Sequence, residues 1–241
     1  VTNMNGENET TSTLIGFAGK AEFNGDLSNW DTSSVTTMNY AFNGASSFNS
    51  DLSRWDVSKV KSFSNCFKDA SIFNQDITNW DVSSATDMRS IFRNAEAFEI
   101  ASLSTWDVSR VNNMGDAFRD ATKFIGDLRN WDVSQVTDMG SMFSSTDFFN
   151  SKISNWNTAK NRDFSYMFYN AKAFNQDISN WDTSMVESMH GMFKSSKYVG
   201  SHFMGPTSFN QDISNWNTIR VKNMSEMFLG ATSFNQDISN W

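Results

Sequence analysis

Two columns of aspartate recur along this chain. One holds Asp26, Asp51, Asp76, Asp127, Asp177, Asp212 and Asp237; the other holds Asp31, Asp56, Asp81, Asp107, Asp132 and Asp182, with Asn157 and Asn217 as neutral substitutes. Carboxylates stacked about 5 Å apart repel unless backbone N–H groups, hydroxyls or a cation offset them. Oxygen ligands suit calcium, but no compact D-x-D-x-D-G loop occurs, and the neighbouring Ser and Thr residues can do the same work. A catalytic carboxylate pair would be a singular departure, whereas these recur. His190 and His202 are the only histidines, and there is no H-E-x-x-H, G-x-S-x-G, P-loop or Cys–His cluster. The expectation is a protein without catalytic residues, cofactor or metal.

The elements that place these columns are repeats. Nine tryptophans fall at 30, 55, 80, 106, 131, 156, 181, 216 and 241, and a fixed period near 25 residues marks a stacked-repeat architecture. Phenylalanine fills two columns in every copy. The first runs from Phe17, Phe42 and Phe67 to Phe228, the second from Phe23, Phe48 and Phe73 to Phe234. Aromatic side chains confined to two positions of a period read as core, each ring packing on the copies above and below. The lone cysteine, Cys66, shares a column with Ala41, Ile91, Met142 and Met167, so it reads as buried apolar filler rather than a reactive thiol.

Within a copy, Trp80-Asp81-Val82-Ser83 alternates inward and outward, which predicts a short strand in a parallel sheet. The column Thr37, Ser62, Asp87, Asn113, Asp138, Asp163, Ser188, Asn223 supplies N-cap residue types. Met88, Ile91, Phe92 and Ala95 follow at i, i+3, i+4 and i+7, and a Gly, Asn, Asp or Ser before the Ala column reads as a stop. A helix of about two turns is the expected result. Asparagine columns before Trp (Asn29, Asn79, Asn130) and after the second Phe (Asn24, Asn49, Asn74) read as hydrogen-bonded ladders. The fold class expected is an α/β repeat solenoid, with one short parallel strand and one short helix per repeat.

Residues 1–241 read as a single continuous array, interrupted at about 5–16 and 194–206. Both the start at Val1 and the finish at Trp241 fall in mid-repeat, as in a slice of a longer array. The net charge is −8, from 19 basic and 27 acidic residues without a basic run, which argues against nucleic acid. No apolar stretch approaches the roughly 18 residues of a membrane span. Insertions in repeat proteins often carry a binding face, which makes Tyr198, His202 and Phe203 candidates for partner contact, against the reading as a tolerated surface bulge. Asn8 and Asn223 head N-x-[ST] sequons and are candidate glycosylation sites.

The pattern F-N-x-D-[IL]-S-x-W-D-[VT]-S-x-V-x-x-M-x-x-M-F-x-x-A resembles the repeat of BspA-like leucine-rich repeat surface proteins, including mycoplasma lipoproteins. Ile77-x-x-Trp80-x-Val82 matches their L-x-x-L-x-L core, without the usual Asn after it. The resemblance implies an extracellular or cell-surface protein used for adhesion or as a structural layer, and it transfers no catalytic residues. The function expected is a non-catalytic structural and adhesive repeat protein, a segment of a long surface fibre or filament whose neighbouring copies stack end to end. The alternative is an adhesin or recognition scaffold that binds a host protein or glycan.

Overall fold

The structure is a computed structural model that describes residues 12–13, 16–196, 198–199, 202–203 and 207–241. Each 25-residue copy forms one rung of a stack. A ladder one residue wide joins the rungs in parallel. It starts where β1 (Ser12–Thr13) pairs with β2 (Val35–Thr37), and it continues through Thr37–Ser62, Ser62–Asp87, Asp87–Asn113, Asn113–Asp138, Asp138–Asp163, Asp163–Ser188 and Ser188–Asn223. Ser12 and Thr13 thus belong to the ladder, although the sequence places them in an interrupting loop.

The expected strand and helix do not form. Among the described residues there is no helix, and the strands are pieces of two or three residues. Trp80 and Val82 are buried and Asp81 is exposed, as the alternation requires, but the ladder lies further along, in the column read as N-caps. The helix fails because of where alternate N–H groups point. Met38, Tyr40, Phe42 and Gly44 donate to the carbonyls of Ser62, Ser64, Cys66 and Lys68 in the next rung, at 2.8–3.0 Å. Between them Ala41, Asn43 and Ala45 donate back to Met38, Tyr40 and Phe42, closing turns at 3.0–3.2 Å. A helix would send every N–H four residues back, along its own axis, with negative φ throughout. Here φ is +58° at Tyr40 and +71° at Gly44, with matching values at Asn65 and Asp69 and at Asp116 and Asp120 in later rungs. Left-handed backbone costs roughly 1–2 kcal/mol outside glycine and is eased at Asn and Asp. The chain of turns still puts Met38, Ala41, Phe42 and Ala45 on one face, all buried.

Burial of the aromatic columns offsets that strain. Phe42 and Phe67 stack with centroids 5.3 Å apart and planes 2° apart, and Phe42 also stacks on Phe48 of its own rung at 4.1 Å. Each buried ring contributes about 1.5–3 kcal/mol, with about 0.5–1.5 more from the ring pair. From Trp55 onward each indole N–H donates to a Leu or Ile carbonyl of the preceding copy, from Trp55 to Leu27 at 3.0 Å through Trp241 to Ile213 at 3.2 Å. The asparagine ladder after the second Phe is also real. The Asn24 side-chain carbonyl accepts the Asn49 N–H and that of Asn49 accepts the Asn74 N–H, both at 2.8 Å; the bond recurs from Asn150 through Asn235.

Inter-rung bonds run in two senses. The row from Met38 to Gly44 donates toward the C-terminal rungs. The column Lys61, Thr86, Asn112, Thr137, Arg162, Glu187, Lys222 donates toward the N-terminal ones, each N–H reaching a carbonyl of the preceding copy at 2.8–2.9 Å.

Candidate functional site

Three polar columns do one job. In the two aspartate columns and in the ladder column, a side-chain oxygen accepts the N–H of the residue two further on. Asp26 takes Ser28 at 2.9 Å, Asp31 takes Ser33 at 3.0 Å and Asp87 takes Arg89 at 3.0 Å. Asn157 and Asn217 do the same with Ala159 and Ile219. Such local bonds stabilise turns, and this is why Ser, Thr, Asn and Asp fill the columns. Among the described residues no three His, Cys, Asp or Glu side chains stand together as metal ligands. Cys66 is fully buried, and burial pushes its thiol well up.

In the two aspartate columns these bonds hold several carboxyls below their ordinary value. The Ser28 N–H lowers Asp26, the Ser33 hydroxyl and N–H lower Asp31, and Ser58 and Ser109 lower Asp56 and Asp107 in the same way. A carboxyl lowered in the folded state stabilises the fold above its unfolded value of about 4, and that contribution disappears as pH falls through the folded value. The melting temperature is therefore expected to hold from neutrality to about pH 4 and to fall steeply below it. Melts followed by circular dichroism across that range check this.

Asp138 departs from the rule. It sits in the ladder column, its carboxylate over Gly115 and Gly140, with the Asp163 carboxylate also beside Gly140. Burial and the charge of Asp163 push it up, against the Gly140 N–H. Asn113 and Asn223 make the same turn bond without a charge. Asp138→Asn is thus expected to raise the melting temperature at pH 7 by about 1–3 °C, and a fall would show that the charge is needed.

The singular cluster lies on the turns between the ladder column and the Ala column, at positions that most other copies fill with polar residues or glycine. The Tyr166 hydroxyl bonds the His190 Nε2, and the His190 Nδ1 lies 2.9 Å from the Ser225 carbonyl and 2.6 Å from its hydroxyl. The carbonyl needs a donor, so Nδ1 carries a proton. Gly191 makes room, because a Cβ there would lie 2.6 Å from the Tyr166 ring. The Tyr169 hydroxyl bonds Ser196 Oγ at 2.6 Å, and Lys194 pairs with Glu226 at 2.7 Å. Three consecutive rungs are thereby tied together where the chain leaves the repeat. Sequence reading missed this site, although His190, in a column otherwise filled by Asn39, Ser64, Arg89, Gly115, Gly140, Ser165 and Ser225, was a visible departure.

Of the expected site residues, Tyr198 and His202–Phe203 belong to a small antiparallel pair, β3 (Tyr198–Val199) and β4 (His202–Phe203), with Tyr198 opposite Phe203. Lys194 and Ser195 remain within the repeat, since the Ser195 N–H reaches the Leu229 carbonyl. Asn223 is exposed, and its side-chain oxygen accepts from the N–H and hydroxyl of Ser225. Asn8 lies outside the described residues. Among the described residues no helix is long and apolar enough to cross a membrane.

Rungs stacked on aromatic columns and fastened by repeated turn bonds define a repeat protein. The chain belongs to the family described as "Mycoplasma protein of unknown function, DUF285", which matches residues 8–102, 87–202 and 199–241. No curated protein matches it significantly. Among solved structures it is similar to the "TLR13-ssRNA13 complex" at 12% identity and a TM-score of 0.33, covering 85% of this chain and 34% of that one, about a third of its length. It is also similar to a leucine rich cell surface protein from Faecalibacterium prausnitzii A2-165 at 13% identity and a TM-score of 0.24, covering 85% of this chain and 76% of that one.

Proposed function

We propose that the chain is a non-catalytic structural and adhesive repeat protein outside the cell, a segment of a long surface fibre of the BspA-like kind. The observation that supports this reading is the sameness of the rungs. Every copy offers its neighbour the same carbonyl row, indole and aromatic faces, so one copy lies on another without new chemistry. The carboxylates that could do chemistry are engaged in turns, which supports a role without catalysis. The one thiol is buried, which suits an oxidising exterior. Electron microscopy of native material tests the reading. Regular fibres are expected, and discrete short rods carrying a bound partner would remove it.

The second reading, a recognition scaffold for a surface protein or glycan, is favoured by the bonded cluster of Tyr166, Tyr169 and His190, which precedes the β3–β4 pair in the chain.

A further inference from the structure

The positions on either side of the inward Val column carry an unexpected pattern. Going along the stack they are Ser34 and Thr36, Lys59 and Lys61, Ser84 and Thr86, Arg110 and Asn112, Gln135 and Thr137, Lys160 and Arg162, Met185 and Glu187, and Arg220 and Lys222. Cations occupy every second rung, and all seven are exposed. The register is fixed, because the second member of each pair belongs to the continuous N–H to carbonyl column from Lys61 to Lys222. With about 4.8 Å per rung, positive charge recurs about every 10 Å along the stack.

The neighbouring aspartate column sharpens the pattern. Asp56 and Asp107 stand near Lys59 and Arg110, whose charges help hold those carboxyls down. Beside Lys160–Arg162 and Arg220–Lys222, the repeat has Asn157 and Asn217 instead. The asparagines keep the turn bond and drop the charge. This stretch therefore sets four cations against one stripe carboxylate, Glu187, which bonds Arg162 at 3.1 Å and Lys222 at 2.5 Å. Lys160 bonds only the Gln135 side-chain oxygen and Arg220 the Met185 sulfur, so among the described residues neither has a carboxylate partner. A protein of net charge −8 has concentrated positive charge on one face.

We infer that this stripe, centred on Lys160, Arg162, Arg220 and Lys222, docks a linear acidic polysaccharide whose carboxylate or sulfate groups recur at about the two-rung interval. The inference rests on the adhesive half of the function proposed above. Hydroxyls and amides lie between the cations, at Ser84, Thr86, Asn112, Gln135 and Thr137, and these suit sugar hydroxyls. Nucleic acid fits less well. A duplex carries a charge about every 1.7 Å of axis, and single strands need aromatic platforms for their bases, of which the stripe has none.

Heparin serves as the probe, with neutral dextran, duplex DNA and polyglutamate as comparators, all measured by surface plasmon resonance on the whole chain. Heparin is expected to bind more tightly than the other three, and less tightly as salt rises. The combined variant Lys160→Gln, Arg162→Gln, Arg220→Gln and Lys222→Gln is expected to bind it about tenfold more weakly or worse. A charge-matched variant, Lys20→Gln, Arg54→Gln, Lys123→Gln and Lys152→Gln, is expected to bind like the parent chain. Asn157→Asp with Asn217→Asp leaves every cation in place and restores the repeat's own carboxylates, and it too is expected to weaken binding. Absence of heparin binding, equal loss in the charge-matched variant, no loss in the Asn→Asp pair, or tighter binding of DNA or polyglutamate would each overturn the inference. Fibres seen without heparin binding would leave the structural role standing and remove this one alone.

Discussion

Phe118→Ala is expected to lower the unfolding free energy by about 3–5 kcal/mol, the cost of an aromatic deletion that leaves a cavity. Phe118 is fully buried and stacks on Phe92 and Phe143 in the flanking rungs at 5.6 and 5.8 Å, on Phe124 of its own rung at 4.1 Å, and against Trp131. Removing it opens both faces of a rung. Stability in stacked repeats is close to a sum of rung and interface contributions, so the loss should fall on the middle of the chain and split a single denaturant transition into two. Phe234→Ala is the comparison. That ring is half-buried, so its loss should be smaller and leave one transition. Equal losses at the two positions would mean that the aromatic columns do not set the order of stability.

Asn161→Val is expected to work the other way. Asn161 is fully buried in the column that holds Val60, Val111, Val136 and Val186, and its side-chain N–H2 has no acceptor. Its oxygen accepts the Asp163 N–H at 3.1 Å; the equivalent amides of Asp87 and Ser188 make long bonds of 3.4 and 3.3 Å to a preceding rung instead. An unsatisfied buried amide costs about 1–3 kcal/mol. Valine should recover most of that, raising the melting temperature by roughly 2–4 °C for each kcal/mol in a chain of this size. Asn161→Asp should destabilise, because it would bury a charge in the same place. A lower melting temperature for the valine variant would show that the bond to Asp163 outweighs the stranded N–H2.

The period, the aromatic columns and the asparagine ladder were legible because each is a statement about side chains stacked on their own copies. Phe42 on Phe67, and Asn24 on Asn49, need only the repeat length to be placed together. The helix was misread for an equally physical reason. Met38, Ala41, Phe42 and Ala45 share a face in a helix and also in a chain of turns, and Ser62 or Asp87 serves a turn as well as it serves a cap. What separates the two is the direction of alternate N–H groups, which side-chain spacing does not record. The column Tyr40, Asn65, Ser90, Asp116, Ser141, which is left-handed throughout, held the one hint. Asn, Asp and Ser there suit turns better than a helix interior. The Tyr166–His190–Ser225 tie joins residues of three copies, and only His190 departs from its column, since Tyr40 shares the column of Tyr166 and Ser64 that of Ser225.

The opposed senses of the inter-rung bonds have an electrostatic consequence. In a helix the peptide dipoles add head to tail, and the two ends acquire partial charges. Here the row from Met38 to Gly44 points one way along the stack, while the column from Lys61 to Lys222 points the other. The two fields subtract only in part, because four N–H groups of an inner rung point toward the C-terminal side and one in this column points back. The positive end of the remaining dipole therefore faces the C-terminal rungs, the reverse of the polarity of a helix, whose N-terminus is the positive end.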